Sequence, residues 1–555
     1  MDRLRHEDEV EDGLEGRTGI FRNIRIAREE RLKFGLFGAM FFIIGFIYSF
    51  MRILKDMFVL KRQSPSCFNF IKIFYILPIS FAIIIIINYL LQKRSISKIF
   101  NICLFIFFSA FLFFGTFIIF EDQIMFDNEM LLEKYEDSNT FLKDFIYTIA
   151  EPIATLIYIT AELWGSIILS YMFLSYLNES CPERQHGRFI PPLFILTNIS
   201  LLTSALVTTG MMKAKENMSD GALKIFMGCF FLLEAALTAI IIFLKYFLET
   251  RVMTTPIFIP KERKEKKSKP KVSFIESLKI MCKSKFLLAM CGIVFFYNAL
   301  YNLIDTVYKF GITAGAAAKD VEKSDYSAKF NNIEQYITSL TVIFLNLTSF
   351  SHLTDTRGWT FVAMITPFVA GCAIIGVFGL GSYNSALEED SFGFVNNLVK
   401  GTPKYGLENY IGMFIMSLLK IFKYTAFDVT KERISMKIEN RYRPKFKSIY
   451  DGFCNKLGKS GGSIYGIVIG AMFSSIDPRG ASPLTGIISA IFVFLWVWGI
   501  FYLGSNYNEA VKKNTNINID IVGDLEEENV ELVDSKAEKS MENNTSQADI
   551  QKTSE

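Results

Sequence analysis

The sequence predicts an all-α integral membrane protein: twelve transmembrane helices arranged as two six-helix halves. Three observations carry this. Of 555 residues, 51% are hydrophobic and 15% aromatic, including 55 Phe, and the mean hydropathy is +0.30. Residues 73–92, 100–120, 359–380 and 482–504 contain no Asp, Glu, Lys or Arg, and each is long enough to cross a hydrocarbon core, which takes about 20 apolar residues. The charged run KERKEKKSKPK at 261–271 divides the apolar segments six and six, the organisation of transporters built from two halves.

Taken in order, apolar runs and their breakers give spans at 35–54, 70–92, 99–120, 143–177, 189–211, 223–248, 286–311, 331–350, 359–381, 407–430, 460–475 and 482–504. Pro152 inside the fourth predicts a kink or a shorter embedded portion. The eleventh is short. The organisation is then an N-terminal arm at 1–34, a first half at 35–250, a basic linker at 251–285, a second half at 286–505 and an acidic tail at 506–555. The linker reads as a solvated charge run open to contact with anionic lipid. The tail, with EEENVELVDSKAEKSMENNTSQ, has the composition of a disordered segment.

Orientation follows from the Lys/Arg bias of short loops. Arg17, Arg22, Arg25, Arg28, Arg31 and Lys33 precede the first span, and Lys93, Arg94 and Lys98 follow the second. Lys431, Arg433, Lys437, Arg441, Arg443, Lys445 and Lys447 follow the tenth. All three groups fall on one side if every span crosses. The other side receives the acidic segment Glu121–Asp137 and Glu388, Glu389 and Asp390. Both termini are therefore expected in the cytoplasm. The first 34 residues are charged throughout, so no cleavable signal peptide is expected. The eight Cys form no CxxC pair and lie in or beside apolar runs; they read as small hydrophobes, with no metal site or disulfide expected. No cofactor and no nucleic-acid partner is expected.

Ionisable groups inside spans cost at least about 2.5 kcal/mol each, so they need a partner charge or a water-filled path. Arg52, Lys55 and Asp56 end the first span, where a snorkelling cluster is the bland alternative. Glu162 follows nine apolar or hydroxyl residues in the fourth span. Glu234 is isolated in the sixth and could belong to a structural ion pair. Asp305, in Tyr301-Asn302-Leu303-Ile304-Asp305, lies well inside the seventh, and Lys423 and Asp428 lie in the tenth. A Lys423–Asp428 pair at five residues' spacing has poor helical geometry. Cations can clamp phosphates, and carboxylates can neutralise them when the site is empty. Such a mixture points to a solute transporter, and by itself leaves nucleotides, sugar phosphates, dicarboxylates and a cation–proton path open.

The stretch GFCNKLGKSGGS at 452–463 imitates a nucleotide-hydrolysing loop. A phosphate-cradling G-x-x-x-x-G-K-[ST] motif ending at Gly458-Lys459-Ser460 needs glycine at 453, and that residue is Phe453. A basic segment precedes it where the motif needs a buried strand. The spacing argues against an ATPase.

Four ordered motifs resemble the nucleotide transporters (ATP/ADP translocases) of plastids and intracellular parasites, a family unrelated to mitochondrial carriers. They are Arg52-Ile53-Leu54-Lys55-Asp56, Ala161-Glu162-Leu163-Trp164-Gly165-Ser166, the stretch Lys423 to Glu432, and Leu457-Gly458-Lys459-Ser460-Gly461-Gly462. The resemblance implies exchange of ATP and ADP, without hydrolysis, by a twelve-span, major-facilitator-like carrier. It implies functional charges at Lys55, Glu162 and Lys459. A fourth, a family glutamate in the pattern N-L-x-E, falls on Asp305 here, with Asn302 opening the pattern; the side chain is one methylene shorter. Arg52, Lys55, Glu162, Asn302, Asp305, Lys423, Asp428 and Lys459 are thus the expected substrate-binding residues, with ATP and ADP as partners within a lipid bilayer. The Asn-, Ile-, Lys- and Phe-rich usage suits a microsporidian member in the parasite plasma membrane. Proton-coupled import, or import of other nucleotides such as GTP or NAD, is the alternative that no motif separates.

Overall fold

Apolar runs without competing polar side chains must satisfy their own backbone N–H and C=O groups, and the helix is the local way to do so. In the computed structural model, the described residues run from 26 to 517, leaving out 27, 125–128, 136–137, 139, 182, 217, 254–282, 349–352, 389–390, 439–445, 474–476 and 514. The arm to residue 25, most of the basic linker and the tail beyond 517 lie outside them, as do Glu389, Asp390, Arg441, Arg443 and Lys445. Among the described residues all regular structure is helical.

Twelve long helical segments succeed one another: α1 (Arg31–Arg62), α2 (67–93), α3 (Ile96–Ile119), α4 (Pro152–Ser180), α5 (Glu183–Lys215), α6 (Asp220–Val252), α7 (Lys285–Ala317), α8 (Lys323–Leu347), α9 (Trp359–Leu387), α10 (Tyr405–Met436), α11 (Asn455–Phe473) and α12 (Ser482–Lys513). Ten of them are long and apolar enough to cross a membrane. The two that are not, α8 and α11, fall at the expected eighth and eleventh spans. They carry polar groups in mid-helix, among them Asn331, Asn332, Glu334 and Gln335 on α8 and Lys456 and Lys459 on α11. The expected fourth span is divided. Glu151, at φ −111° and ψ 66°, breaks the chain between a short helix, Thr140–Ala150, and α4, whose first residue is Pro152. Proline lacks the N–H that a continuous helix needs there and is favoured at a helix start.

Each half has its own apolar core. One gathers residues from Ile26 to Val252, the other residues from Phe286 to Ile517. α1 and α7 are the most enclosed of the candidate spans, with 61% and 67% of their apolar stretches buried, so they are the central helices on which a site can be built. Buried indoles tie neighbours together: Trp164 Nε1 donates to the Ile44 carbonyl (3.1 Å) and Trp359 Nε1 to the Thr430 carbonyl (2.8 Å). Glu234, considered above as an ion-pair member, is fully buried on α6, and neither carboxyl oxygen has a partner among the described residues.

Glycines seat α11. Gly458, Gly462 and Gly466, four residues apart, form one stripe. A Cβ on Gly458 would lie 2.6 Å from the Phe295 carbonyl, and one on Gly462 3.0 Å from the Asn302 side chain, both on α7. One on Gly466 would lie 2.7 Å from Asn69 Nδ2 of α2, across the boundary between the halves.

The two halves meet at one end of the bundle, where α1, α5 and α7 finish and α2 and α8 begin. Asn332 Nδ2 donates to Thr209 Oγ1 (2.8 Å), Gln335 Nε2 to the Ser49 carbonyl (2.9 Å), and Lys215 pairs with Asp325. All three link first-half to second-half helices at or beyond mid-length toward that end. The short helix Thr140–Ala150 belongs to the same end. Its Asp144 is buried and accepts a hydrogen bond from Ser66 Oγ.

Two outcomes follow. Gly458→Ala forces a methyl against the Phe295 carbonyl, which helix backbone cannot yield; it lowers stability in a detergent thermal melt by about 1–3 kcal/mol. Gly210→Ala, where a Cβ meets nothing within 4 Å, leaves the melt unchanged. Burial raises the Asp144 carboxyl to about 6, against the opposing hydrogen bonds of Ser66 and Cys67 and the charge of Lys143. Since the folded value lies above the unfolded value of about 3.9, its contribution is complete below that value and is lost as pH rises through about 6. Wild-type stability therefore falls relative to Asp144→Asn as pH rises through this window, as melts across a pH series measure.

Candidate functional site

Charges from both halves converge between α1, α2, α4, α7, α8, α10 and α11. Lys55 pairs with Glu162 of α4, and its ammonium stands 4.2 Å from the centre of the Tyr158 ring. Lys72, at the start of α2, lies 3.7 Å from Asp305 and donates to Asn302 Oδ1 at 2.7 Å. Lys309, one helical turn after Asp305, reaches that carboxylate at 3.4 Å and Asp56 at 3.1 Å. Glu334 of α8, 1% exposed, receives Lys420 of α10 and stands 3.6 Å from Arg52 of α1. Asn302 Nδ2 donates to Ser463 Oγ (2.7 Å) and to the Lys459 carbonyl (3.0 Å), which fixes α11 against α7 beside the charges.

Two cations stand apart. Lys459 is exposed and has no carboxylate within ion-pair distance among the described residues, although it is near enough to Lys423, Glu162 and Lys55 to feel their charges. Lys423, likewise without an ion pair there, rests by cation–π contact near Tyr297 (5.8 Å) and Tyr424 (5.4 Å). Asp428, grouped with Lys423 on sequence grounds, turns instead to Lys431 (3.0 Å), which also binds Asp451 (2.7 Å) toward the opposite end of α10. The structure thus brings together Arg52, Lys55, Glu162, Asn302, Asp305, Lys423 and Lys459, and sets Asp428 in a separate cluster. Asp305 takes Lys72 and Lys309 as its ion-pair partners.

Local backbone geometry helps to aim these groups. π-helical turns occupy Lys72–Ile76, Trp164–Met172 and Lys423–Phe427, each beginning at or within two residues of Lys72, Glu162 or Lys423. A π turn holds one extra residue, re-aims the side chains beside it and recurs at functional sites. The Gly458-Lys459-Ser460 segment lies inside helix α11. Its amides belong to a helix, so they cannot form the phosphate cradle of a nucleotide-hydrolysing loop.

Sequence reasoning missed Asp56, Lys72, Lys309, Glu334 and Lys420 as site members. Glu334 and Lys420 carried the signal that singled out Glu162, an ionisable group in mid-span. Lys72 and Lys309 sit near span edges, where snorkelling reads equally well. With the missed cations included, seven basic side chains face four carboxylates, a surplus of three positive charges. In a low-dielectric interior such a surplus suits a polyanion with several phosphate oxygens.

Comparison with known proteins agrees. The sequence matches the TLC ATP/ADP transporter family over residues 19–507. It is 45% identical over 523 residues to ADP,ATP carrier protein 1 of Encephalitozoon cuniculi, covering 93% of this chain and 94% of that protein. It is 29% identical to ADP,ATP carrier protein 1 of Paranosema grylli (93% and 95% covered) and 25% identical to ADP,ATP carrier protein 1 of Rickettsia typhi (88% and 96%). Among solved structures it is similar to a bacterial homologue of the lysosomal transporter Spinster (TM-score 0.48, 11% identity, 86% and 99% covered) and to the E. coli fucose:proton symporter (TM-score 0.42, 13% identity, 86% and 99% covered). The chain belongs to the TLC ATP/ADP transporter family.

Proposed function

We propose that this protein is a multi-pass membrane carrier, not an enzyme, that exchanges ATP for ADP by alternating access between its two halves. The observation that carries the reading is the pair of cations without a carboxylate, Lys459 and Lys423, at the edge of an otherwise ion-paired cluster. They are the first counter-charges a polyphosphate meets, while Arg52, Lys55, Lys72, Lys309 and Lys420 are held by carboxylates. Binding transfers Lys55 from Glu162 to phosphate oxygens, a trade of one charge-assisted contact for another. Asn302 and Asp305 orient Lys72 and Lys309 for the same purpose. Asp428, paired with Lys431, acts outside the phosphate site. Twelve crossings, with α8 and α11 lining the interior, place both termini on the cytoplasmic side by the positive-inside bias. The closed end of the bundle then faces outward and the exposed Lys459 faces the cytoplasm. We place the carrier in the plasma membrane of a microsporidian cell, where it draws in ATP from outside.

One observation favours proton-coupled nucleotide uptake as a second reading: the buried Glu234 carboxyl, which has no partner among the described residues. Vesicle uptake separates the two. With the purified chain reconstituted, labelled ATP enters vesicles loaded with ADP and not empty ones if exchange holds; uptake that follows a proton gradient without internal ADP establishes symport. A panel of internal GTP, NAD and ADP fixes the range of counter-substrates. Lys459→Ala reduces ATP uptake about tenfold or more with unchanged protein in the membrane, the scale expected for a lost contact to a charged group. Lys459→Arg is less harmful. Near-normal uptake by Lys459→Ala overturns the assignment.

A further inference from the structure

Asp305 has two cationic partners and Asp56 shares one of them, whereas Glu334 stands alone between two. Arg52, from the first half, and Lys420, from the second, both turn to Glu334 Oε1, and neither has another carboxylate within ion-pair distance among the described residues. The carboxylate is 1% exposed, so water does not screen it. Arg52–Glu334 also crosses between the halves at the closed end, beside Gln335 and Asn332, which bond to Ser49 and Thr209 of the other half.

We propose that Glu334 is a positioning residue that makes transport an exchange: it holds the empty carrier closed at this end, and substrate phosphates take its place. The inference rests on the ATP/ADP exchange reading. In the empty protein, moving α1 away from α8 strips Arg52 of its counter-charge, which is costly in a low-dielectric interior. When a nucleotide occupies the cluster, its phosphate oxygens neutralise Arg52 and Lys420 together, and Arg52 leaves with a counter-ion in place. Only the loaded carrier then reorients readily, because the ligand has a differential interaction with the two states. Removing the negative charge at 334 reverses this. Arg52 and Lys420 are left as like charges facing each other across the interface, and the closed end loses its preference in the absence of substrate.

The test uses the full chain in vesicles with two readouts. The first is the ratio of labelled ATP uptake with internal ADP to uptake without it. The second is cross-linking of cysteines introduced by Thr209→Cys and Asn332→Cys, whose natural side chains bond at 2.8 Å, read against the same protein without the pair. Glu334→Gln lowers the uptake ratio at least about fivefold, at the lower end of usual coupling factors, and lowers the cross-link yield. Glu334→Asp keeps the charge and retains both, which separates the effect from misfolding. Arg52→Gln added to Glu334→Gln removes the stranded cation and restores the cross-link. An unchanged ratio or an unchanged cross-link in Glu334→Gln overturns the inference. If the unmodified protein shows no dependence on internal ADP, the exchange reading fails instead, and the cross-link alone judges Glu334.

Discussion

The constraint on which this structure depends is that a charge taken out of water must keep a partner. A bilayer offers an ammonium or carboxylate neither water nor counter-ion. Each charged side chain in the cluster is therefore placed by another: Lys55 by Glu162, Lys72 and Lys309 by Asp305, Lys420 and Arg52 by Glu334. The pairs are not contained within one half. Lys72–Asp305, Lys309–Asp56 and Arg52–Glu334 all join first-half to second-half helices. The chemistry that makes a phosphate site tolerable when empty thus also fastens the two halves together.

Packing around the cluster serves the same end. The glycine stripe of α11 lets its backbone lie directly on α7, and Asn302 bonds to the Lys459 carbonyl and Ser463. Lys459 is held by main-chain geometry, not by a carboxylate, so its ammonium stays free for a ligand. A bulky residue at 458 or 462 would separate these helices and lose that arrangement.

Much of the molecule was legible from its residues. Uncharged runs near 20 residues have few outcomes besides a membrane helix, and all ten candidate spans fall on expected ones. The membrane-embedded charges Lys55, Glu162 and Asp305 stood out because their cost is high wherever they sit. The partners did not. Pairing Lys72 with Asp305 joins positions 233 residues apart in sequence, and no local pattern reports it. The division at Glu151 was signalled by Pro152, but the side on which the helix resumes was not. Asp428 misled because a spacing of five residues hides the closer option, Lys431 at i+3. Polar mid-helix residues on α8 weakened its membrane signal for the reason that makes it important: those side chains face the other half.

The π-helical turns at Lys72–Ile76, Trp164–Met172 and Lys423–Phe427 have a genetic consequence. Each is a helix with a residue gained, so the register downstream depends on keeping it. Deleting one residue there restores regular winding but rotates everything beyond by about 100°. In α10 that would swing Asp428 and Lys431 away from Asp451 while leaving composition and hydropathy almost untouched. Length in these three short windows is therefore under tighter constraint than the identity of most apolar residues within them.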